Sequence, residues 1–267
     1  MDMWSNRMHE VRAWMRYFVA AKGPHGVHSP FVYDLITKVL RDKSRSGKHD
    51  TIERERARLK ACADIIEVVD LGAGSRIHKD NLRRVSTIAR TALQPASHAR
   101  ALALVAAHAK SINILELGTS FGITTAHLAA AMPQATIHTI EGCEAIAKQA
   151  QQVWKNVGLS NIQLTIGNFD AELPAVLKQM QHVDFLIIDG NHTAEACLRY
   201  IHLVDSYCHE NIIVVVDDIY WSPSMTMGWQ QCVADPRFSL SLDFFDFGLL
   251  YRSLGRVKEH FVLKKPW

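Results

Sequence analysis

Three carboxylates and one imidazole stand out as side chains that could do chemistry together. Asp189 and His192 lie in Ile187-Ile-Asp-Gly-Asn-His192, and Asp217 and Asp218 in Val215-Val-Asp-Asp-Ile-Tyr-Trp221. Each motif closes an apolar run, Phe185-Leu-Ile-Ile188 or Ile212-Ile-Val-Val-Val216. Runs of that kind, apolar without alternation, are what strands buried on both faces of a parallel sheet look like. Open α/β sheets build their sites at the carboxyl ends of such strands. Three carboxylates brought to one point repel one another unless a cation joins them, and hard oxygen donors suit Mg2+, Mn2+ or Ca2+. The plainer reading is that one or two of them serve as caps or cofactor contacts and no metal binds. His192 follows Asp189 closely enough to act as a general base, because imidazole titrates near neutrality. The chain has 14 histidines, so a surface or supporting role competes for His192.

A second chemistry sits in two glycine segments, Val68-Val-Asp-Leu-Gly-Ala-Gly-Ser75 and Ile114-Leu-Glu-Leu-Gly-Thr-Ser-Phe-Gly122. A nucleoside cofactor needs a strand ending in an acidic residue, a glycine turn, a helix, and a second strand whose last carboxylate holds the ribose hydroxyls. The second segment meets all four demands. Glu116, Gly118 and Gly122 precede the helical pattern Ile123–Met132, and the run Ile137-His-Thr-Ile140 ends in Glu141, about twenty residues past the loop. After Gly74 comes the basic Arg76-Ile-His-Lys79, with no strand expected before Ile112 and hence no ribose carboxylate. The Gly72–Ser75 loop is therefore expected to be a structural turn without cofactor contact, a basic flap near the substrate being the alternative. NAD and FAD sites set GxGxxG against a pyrophosphate, and Gly118-Thr-Ser-Phe-Gly122 lacks that triple glycine.

The elements that must position these residues alternate regularly from Ile112 onward. Strands are expected at Ile112–Gly118, Thr136–Gly142, Ile162–Asn168, Val183–Gly190 and Asn211–Ile219. Helices are expected between them at Ile123–Met132, Glu144–Val157, Ala171–Met180 and Ala194–Cys208. That alternation makes βαβ units and a parallel sheet. A helix near Met225–Ala234 then leads to Phe238–Phe245, Gly248–Ser253 and Glu259–Lys265, read as antiparallel strands at one edge. Residues 1–110 are mostly helical in pattern, which divides the chain into a helical N-terminal cap or substrate region (1–110) and an α/β domain (111–267). Tyr220, Trp221, Met225 and Trp229 follow the acidic pair at loop and helix spacing, and are read equally as pocket wall or as core.

In these motifs the chain resembles the class I S-adenosylmethionine-dependent methyltransferases, and among them the catechol O-methyltransferase-like group of bacterial O-methyltransferases. The resemblance runs from about Ile112 to Ile219 and weakens beyond. It implies a Rossmann-like methyltransferase sheet, mostly parallel with an antiparallel C-terminal edge. It also implies S-adenosylmethionine as cofactor, held by Glu116, Gly118, Thr119, Ser120, Gly122, Thr124, Glu141, Asn168, Phe169 and Asp189. A divalent cation, Mg2+ in that group, would lie on Asp189, Asp217 and Asp218, with Asp189 and His192 as catalytic residues. Two departures are visible: His192 stands where catechol-type members carry a lysine, and Asp218 replaces the usual asparagine of the metal pair. His25-Gly-Val-His-Ser-Pro-Phe-Val-Tyr33 resembles a bacterial group labelled only as methyltransferases. The implied activity is metal-assisted O-methylation of a small-molecule hydroxyl on a phenol, sugar or natural product.

Composition narrows the rest. Hydrophobic residues at 48% and charged residues at 21% are ordinary for a globular chain. No apolar run approaches the ~18 residues of a membrane span, and no signal-peptide layout opens the chain. The five scattered cysteines lack CxxC spacing, which points to reduced thiols and a cytoplasmic protein. The basic surplus is concentrated at the N-terminus: residues 1–60 hold 13 of the 30 Lys and Arg but 7 of the 27 Asp and Glu. Such a segment could steer an acidic substrate, nucleic acid or lipid headgroup, or could be a solvated helical face. Base methyltransferases carry an Asn/Asp-Pro-Pro-Tyr type motif to grip a flipped base. Asp189-Gly-Asn-His192 is not one, so an RNA or DNA methyltransferase is the rival enzyme and nucleic acid a disfavoured partner. A non-catalytic S-adenosylmethionine-binding protein is the third reading, and a homodimer stays open.

Overall fold

The computed structural model describes residues 3–43, 47–69, 81–253, 255 and 257–267. The glycine segment Gly72–Ser75 lies outside the described residues. The helices are α1 (Met3–Ala20), α2 (Pro30–Asp34, continued by a π-helical turn Leu35–Leu40), α3 (His49–Ala61), α4 (Val85–Thr91), α5 (Ala96–His108), α6 (Ile123–Ala131), α7 (Glu144–Val157), α8 (Phe169–Met180), α9 (Ala194–Asp205) and α10 (Pro223–Ala234). The strands are β1 (Ile65–Glu67), β2 (Leu82–Arg84), β3 (Asn113–Leu117), β4 (Thr136–Glu141), β5 (Ile162–Ile166), β6 (Val183–Ile188), β7 (Cys208–Asp217), β8 (Leu240–Asp243), β9 (Phe247–Tyr251) and β10 (Glu259–Val262). Two compact units arise, one from residues 42–180 and one from residues 1–41 together with 181–267.

In the unit of residues 42–180, β3, β4 and β5 run parallel in that order, with Glu116 level with Thr139 and Glu141 with Ile166. Helix α7 forms because Ile146, Ala150, Val153, Trp154 and Val157 recur at helical spacing and bury one face. Helix α3 buries Ile52, Arg56 and Leu59 in the same way. Its apolar face joins Val85, Ile88, Phe121, Ile123 and Ala126 in one core. Glu53 Oε1 of α3 accepts from His127 Nε2 of α6 at 3.0 Å, tying the two helices. One expectation fails here: the stretch before Ile112 is not free of strands, because β1 and β2 pair antiparallel, Ile65 opposite Arg84. Their side chains alternate exposed and half-buried, so three residues per strand give no apolar run to read. Strand β2 carries Arg83 and Arg84 and supplies no carboxylate.

In the other unit the strand order is β10-β8-β9-β7-β6. Strands β6 and β7 are parallel, with Ile188 opposite Val216, while β9 runs antiparallel to both β7 and β8. The expected antiparallel edge holds for β8 and β9, but β10 pairs parallel to β8, Phe261 opposite Leu242. Strand β10 lies on the outer side of β8 and runs opposite to β9, hence parallel to β8. Thr193 caps α9 by accepting from the Ala196 N–H at 3.2 Å. Ser222 caps α10 by accepting from the Met225 N–H at 3.1 Å, with Pro223 as first helical residue. Helix α1 is held by Ala13, by Tyr17 donating to the Leu263 carbonyl at 2.5 Å, and by His9 against Thr226 at 2.8 Å. The fold class is the mostly parallel Rossmann-like α/β type.

Candidate functional site

The glycine loop between β3 and α6 is built from left-handed backbone. Gly118, Ser120 and Gly122 have φ of 105°, 49° and 69°. Gly122 cannot take a side chain: a Cβ there would lie 2.5 Å from Trp154 Nε1, which instead donates to the Gly122 carbonyl at 2.8 Å. The loop is pinned to the end of β4 by one carboxylate. Glu141 Oε2 accepts from the Ser120 N–H and Oε1 from the Cys143 N–H, both at 2.9 Å. Glu141 itself is half-buried at the strand's end.

Other residues of the expected cofactor set are placed differently from one another. Glu116 is 1% exposed, and its Oε2 accepts from Thr125 at 2.6 Å and Thr139 at 2.7 Å. Thr119 is buried with its hydroxyl 2.5 Å from that of Thr139. The Thr139 hydroxyl thus links Glu116 at the end of β3 with Thr119 of the loop. Thr124 is half-buried in the first turn of α6, and Phe169 is half-buried at the start of α8. The Asn168 side chain caps α8, accepting from the Asp170 N–H at 2.8 Å. Reading from residue types alone missed Trp154 and Cys143 as supports of the loop. The usable signal was the indole N–H, since a buried Trp needs an acceptor.

Glu116 makes this network sensitive to pH. Burial chiefly, offset by the hydrogen bonds from Thr125 and Thr139 and reinforced by the Glu141 charge, pushes its pKa up to about 7. A raised carboxyl pKa means stability that is fully present below the unfolded value, near 4.5, and lost as pH rises through about 7. The difference in unfolding free energy between wild type and Glu116→Gln isolates this group. Between pH 5 and 8.5 it should move by about 1–3 kcal/mol in favour of the variant. Urea titrations at the two pH values giving a pH-independent difference would refute the assignment.

The acidic cluster belongs to the unit of residues 1–41 and 181–267. Asp217 ends β7 and is 5% exposed; Asp218 follows with φ of 53°, its N–H donating to the Asp246 carbonyl at 2.7 Å. Asp189 follows β6, and Asn191, with φ of 51°, donates through Nδ2 to the Tyr200 hydroxyl at 3.0 Å. His192 Nε2 lies 4.0 Å from Asp189 Oδ1 and 3.8 Å from Asp218 Oδ2. Burial first, then the charges of Asp189 and Asp218, a hydrogen bond with Asp189 and the charge of Asp246, push the Asp217 pKa well above the usual carboxylate range. The structure thus brings Asp189, His192, Asp217 and Asp218 together, as expected. Among the described residues no three His, Cys, Asp or Glu side chains are arranged as a metal-binding group. The donor set suits a hard cation in its chemistry; as placed, Asp217 and Asp189 share a hydrogen bond.

Around this cluster Tyr220, Trp221, Met225 and Trp229 separate. Met225 and Trp229 are buried core. Tyr220 donates to Asp243 Oδ2 at 2.5 Å and stacks on Phe245, 5.2 Å between centroids. Trp221 is half-buried, with its ring 6.1 Å from that of His192.

Parallel strands with a left-handed glycine turn after the first and a terminal carboxylate after the second make the fold of the class I S-adenosylmethionine-dependent methyltransferases. Residues 115–219 match the family described as a methyltransferase domain. A probable O-methyltransferase of Mycobacterium tuberculosis is 29% identical over 114 residues, 39% of this chain. The chain spans about half the length of that relative, 48%. Among solved structures, a methyltransferase from Podospora anserina bound to S-adenosylhomocysteine superposes with a TM-score of 0.59 at 15% identity, covering 85% of this chain and 97% of that one. An O-methyltransferase of tomaymycin synthesis from Streptomyces achromogenes, complexed with S-adenosylmethionine, gives 0.52 at 18% identity, covering 61% and 82%. Among the described residues no helix is long and apolar enough to cross a membrane.

Proposed function

We propose that this chain is an S-adenosylmethionine-dependent O-methyltransferase acting on a hydroxyl of a small molecule. The observation that carries the reading is the Glu141 carboxylate, fixed by the Ser120 and Cys143 N–H groups at the mouth of the Gly118–Gly122 turn. Held there, it can accept from both ribose hydroxyls of the cofactor while the glycine backbone lets adenosine approach. The family match and the O-methyltransferase relative support the same chemistry. Residues 1–110 are proposed to serve the acceptor and residues 111–267 the cofactor. The free thiols of Cys62, Cys143, Cys197, Cys208 and Cys232 support a cytoplasmic setting.

Methyl transfer is an in-line displacement, so alignment of acceptor oxygen, methyl carbon and sulfur supplies much of the rate. An acceptor phenol has a pKa of about 10, so its anion at pH 7 costs roughly 4 kcal/mol. His192 is the proposed base for that proton, with Asp189 and Asp218 within 4.0 Å of its Nε2 to stabilise the imidazolium. Asp189, Asp217 and Asp218 are the residues that would hold a divalent cation, whose charge would stabilise the acceptor oxyanion when bound. Trp221 is proposed to line the acceptor pocket.

Release of S-adenosylhomocysteine, measured across small phenols, sugars and RNA with and without Mg2+, tests the reading. Turnover with small hydroxyl acceptors is the expected result. Turnover with RNA alone would replace it by the nucleic-acid reading. Cofactor binding without turnover on any class would leave a binding protein.

A further inference from the structure

Helix α1 is held on one face and open on the other. Ala13, Tyr17 and His9 anchor it. Met8, Val11, Met15 and Phe18 follow one another at spacings of three and four, on the opposite side, with Trp14 and Val19 flanking them. All six are exposed, from 50% for Trp14 to 86% for Val19, and Trp14 and Phe18 stack at 5.4 Å between centroids. A helix attached by its inner face has no packing reason to line its outer face with six large apolar side chains. Contiguous apolar surface of that kind marks a docking face.

The charges on the helix select the occupant. Arg7, Arg12 and Arg16 are exposed, while Glu10, half-buried, is the single acidic residue between Met3 and Ala20. A second copy of this chain, placed face to face, would bring those arginines against their own counterparts with little acid to offset them. An anionic lipid surface answers both features at once. The apolar stripe with Trp14 and Phe18 enters the headgroup boundary, and the arginines beside it meet phosphate. Eighteen residues make a helix of about 27 Å, which can lie flat in the interface. We infer that the outer face of α1 docks this protein on the surface of an anionic lipid bilayer. The inference stands independently of methyl transfer.

Docking would also orient the acidic cluster. Tyr17 packs on Phe245 at 5.3 Å between centroids, and the neighbouring Asp246 carbonyl receives the Asp218 N–H. Helix α1 is therefore joined through a single turn to the loop that carries Asp217 and Asp218.

The experiment is flotation of the full chain with vesicles of phosphatidylcholine containing 30% phosphatidylglycerol, against pure phosphatidylcholine, at about 50 and 500 mM salt. The expected result is binding at least about tenfold tighter to the anionic vesicles, weakened by salt. Met15→Glu with Phe18→Glu should lose most binding, and Arg12→Glu with Arg16→Glu should lose the preference for anionic lipid. These positions are exposed, so circular dichroism and melting temperature should match wild type. Absence of vesicle binding by folded wild type, or binding unaffected by the Met15/Phe18 double variant, overturns the inference. Light scattering that shows a dimer dissociated by that double variant also overturns it, in favour of a second copy.

Discussion

Glu141→Ala is expected to bind S-adenosylmethionine roughly 1.5–3 kcal/mol more weakly than wild type, about ten- to a hundredfold, the scale of charged hydrogen bonds. Two losses combine in that number. The ribose hydroxyls lose a carboxylate acceptor, and the Ser120 and Cys143 N–H groups lose the acceptor that ties the glycine loop to β4. The second loss can be separated from the first. Glu141→Gln keeps one carbonyl oxygen and should hold one of the two N–H groups, so it should recover part of the thermal stability but little of the affinity. Calorimetric titration, with melting temperatures of the three proteins, reads both quantities. Unchanged affinity in a folded Glu141→Ala protein would remove the ribose assignment.

Much of this loop was legible because its requirements are local. Glu116, the glycines and Glu141 are spaced by strand, turn, helix and strand, and each element announces itself by periodicity. Helix α7 begins and ends where its apolar spacing does, at Glu144 and Val157. What the side chains do inside the loop was less legible. Thr119 and Glu116 read as cofactor contacts from their place in the motif, and nothing in that motif announces their hydrogen bonds with Thr139 and Thr125, which three-dimensional packing chooses. Asn168 likewise reads as a ligand contact, although capping α8 is the commoner use of an Asn before a helix.

The less legible parts of the fold share one cause. Residues 1–41 pack with residues 181–267 through contacts such as Tyr17 to Leu263, which no local pattern announces. Strand β10 pairs with β8, a neighbour distant in sequence that no local pattern announces, and β1 and β2 are too short to show a period. The acidic cluster was legible for the opposite reason: each carboxylate closes a strongly apolar strand, so both motifs fall at the same end of two paired, parallel strands.

Asp217→Asn should lower turnover by about 100-fold or more while leaving the melting temperature equal to or above that of wild type. The two halves of that expectation come from one arrangement. A carboxyl group that is almost fully buried, with Asp189, Asp218 and Asp246 around it, destabilises the folded chain whenever it ionises. The fold keeps it nonetheless, and residues retained against stability are found where chemistry needs them. An amide of the same shape removes the repulsion and with it the ability to complete a set of three anionic donors. The cation proposed for that set can be examined without knowing the acceptor. Mn2+ should bind the wild-type chain, read by electron paramagnetic resonance, and bind Asp217→Asn at least about tenfold more weakly. Once an acceptor is in hand, activity should vanish in EDTA and return with Mg2+ or Mn2+. S-adenosylmethionine affinity of Asp217→Asn should stay within a few-fold of wild type, since the proposed cation would serve the acceptor oxygen and the ribose is proposed to rest on Glu141. Undiminished methyl transfer in EDTA, with no Mn2+ bound, would end the metal assignment. The carboxylates would then act by hydrogen bonding, with His192 alone between Asp189 and Asp218 to take the proton.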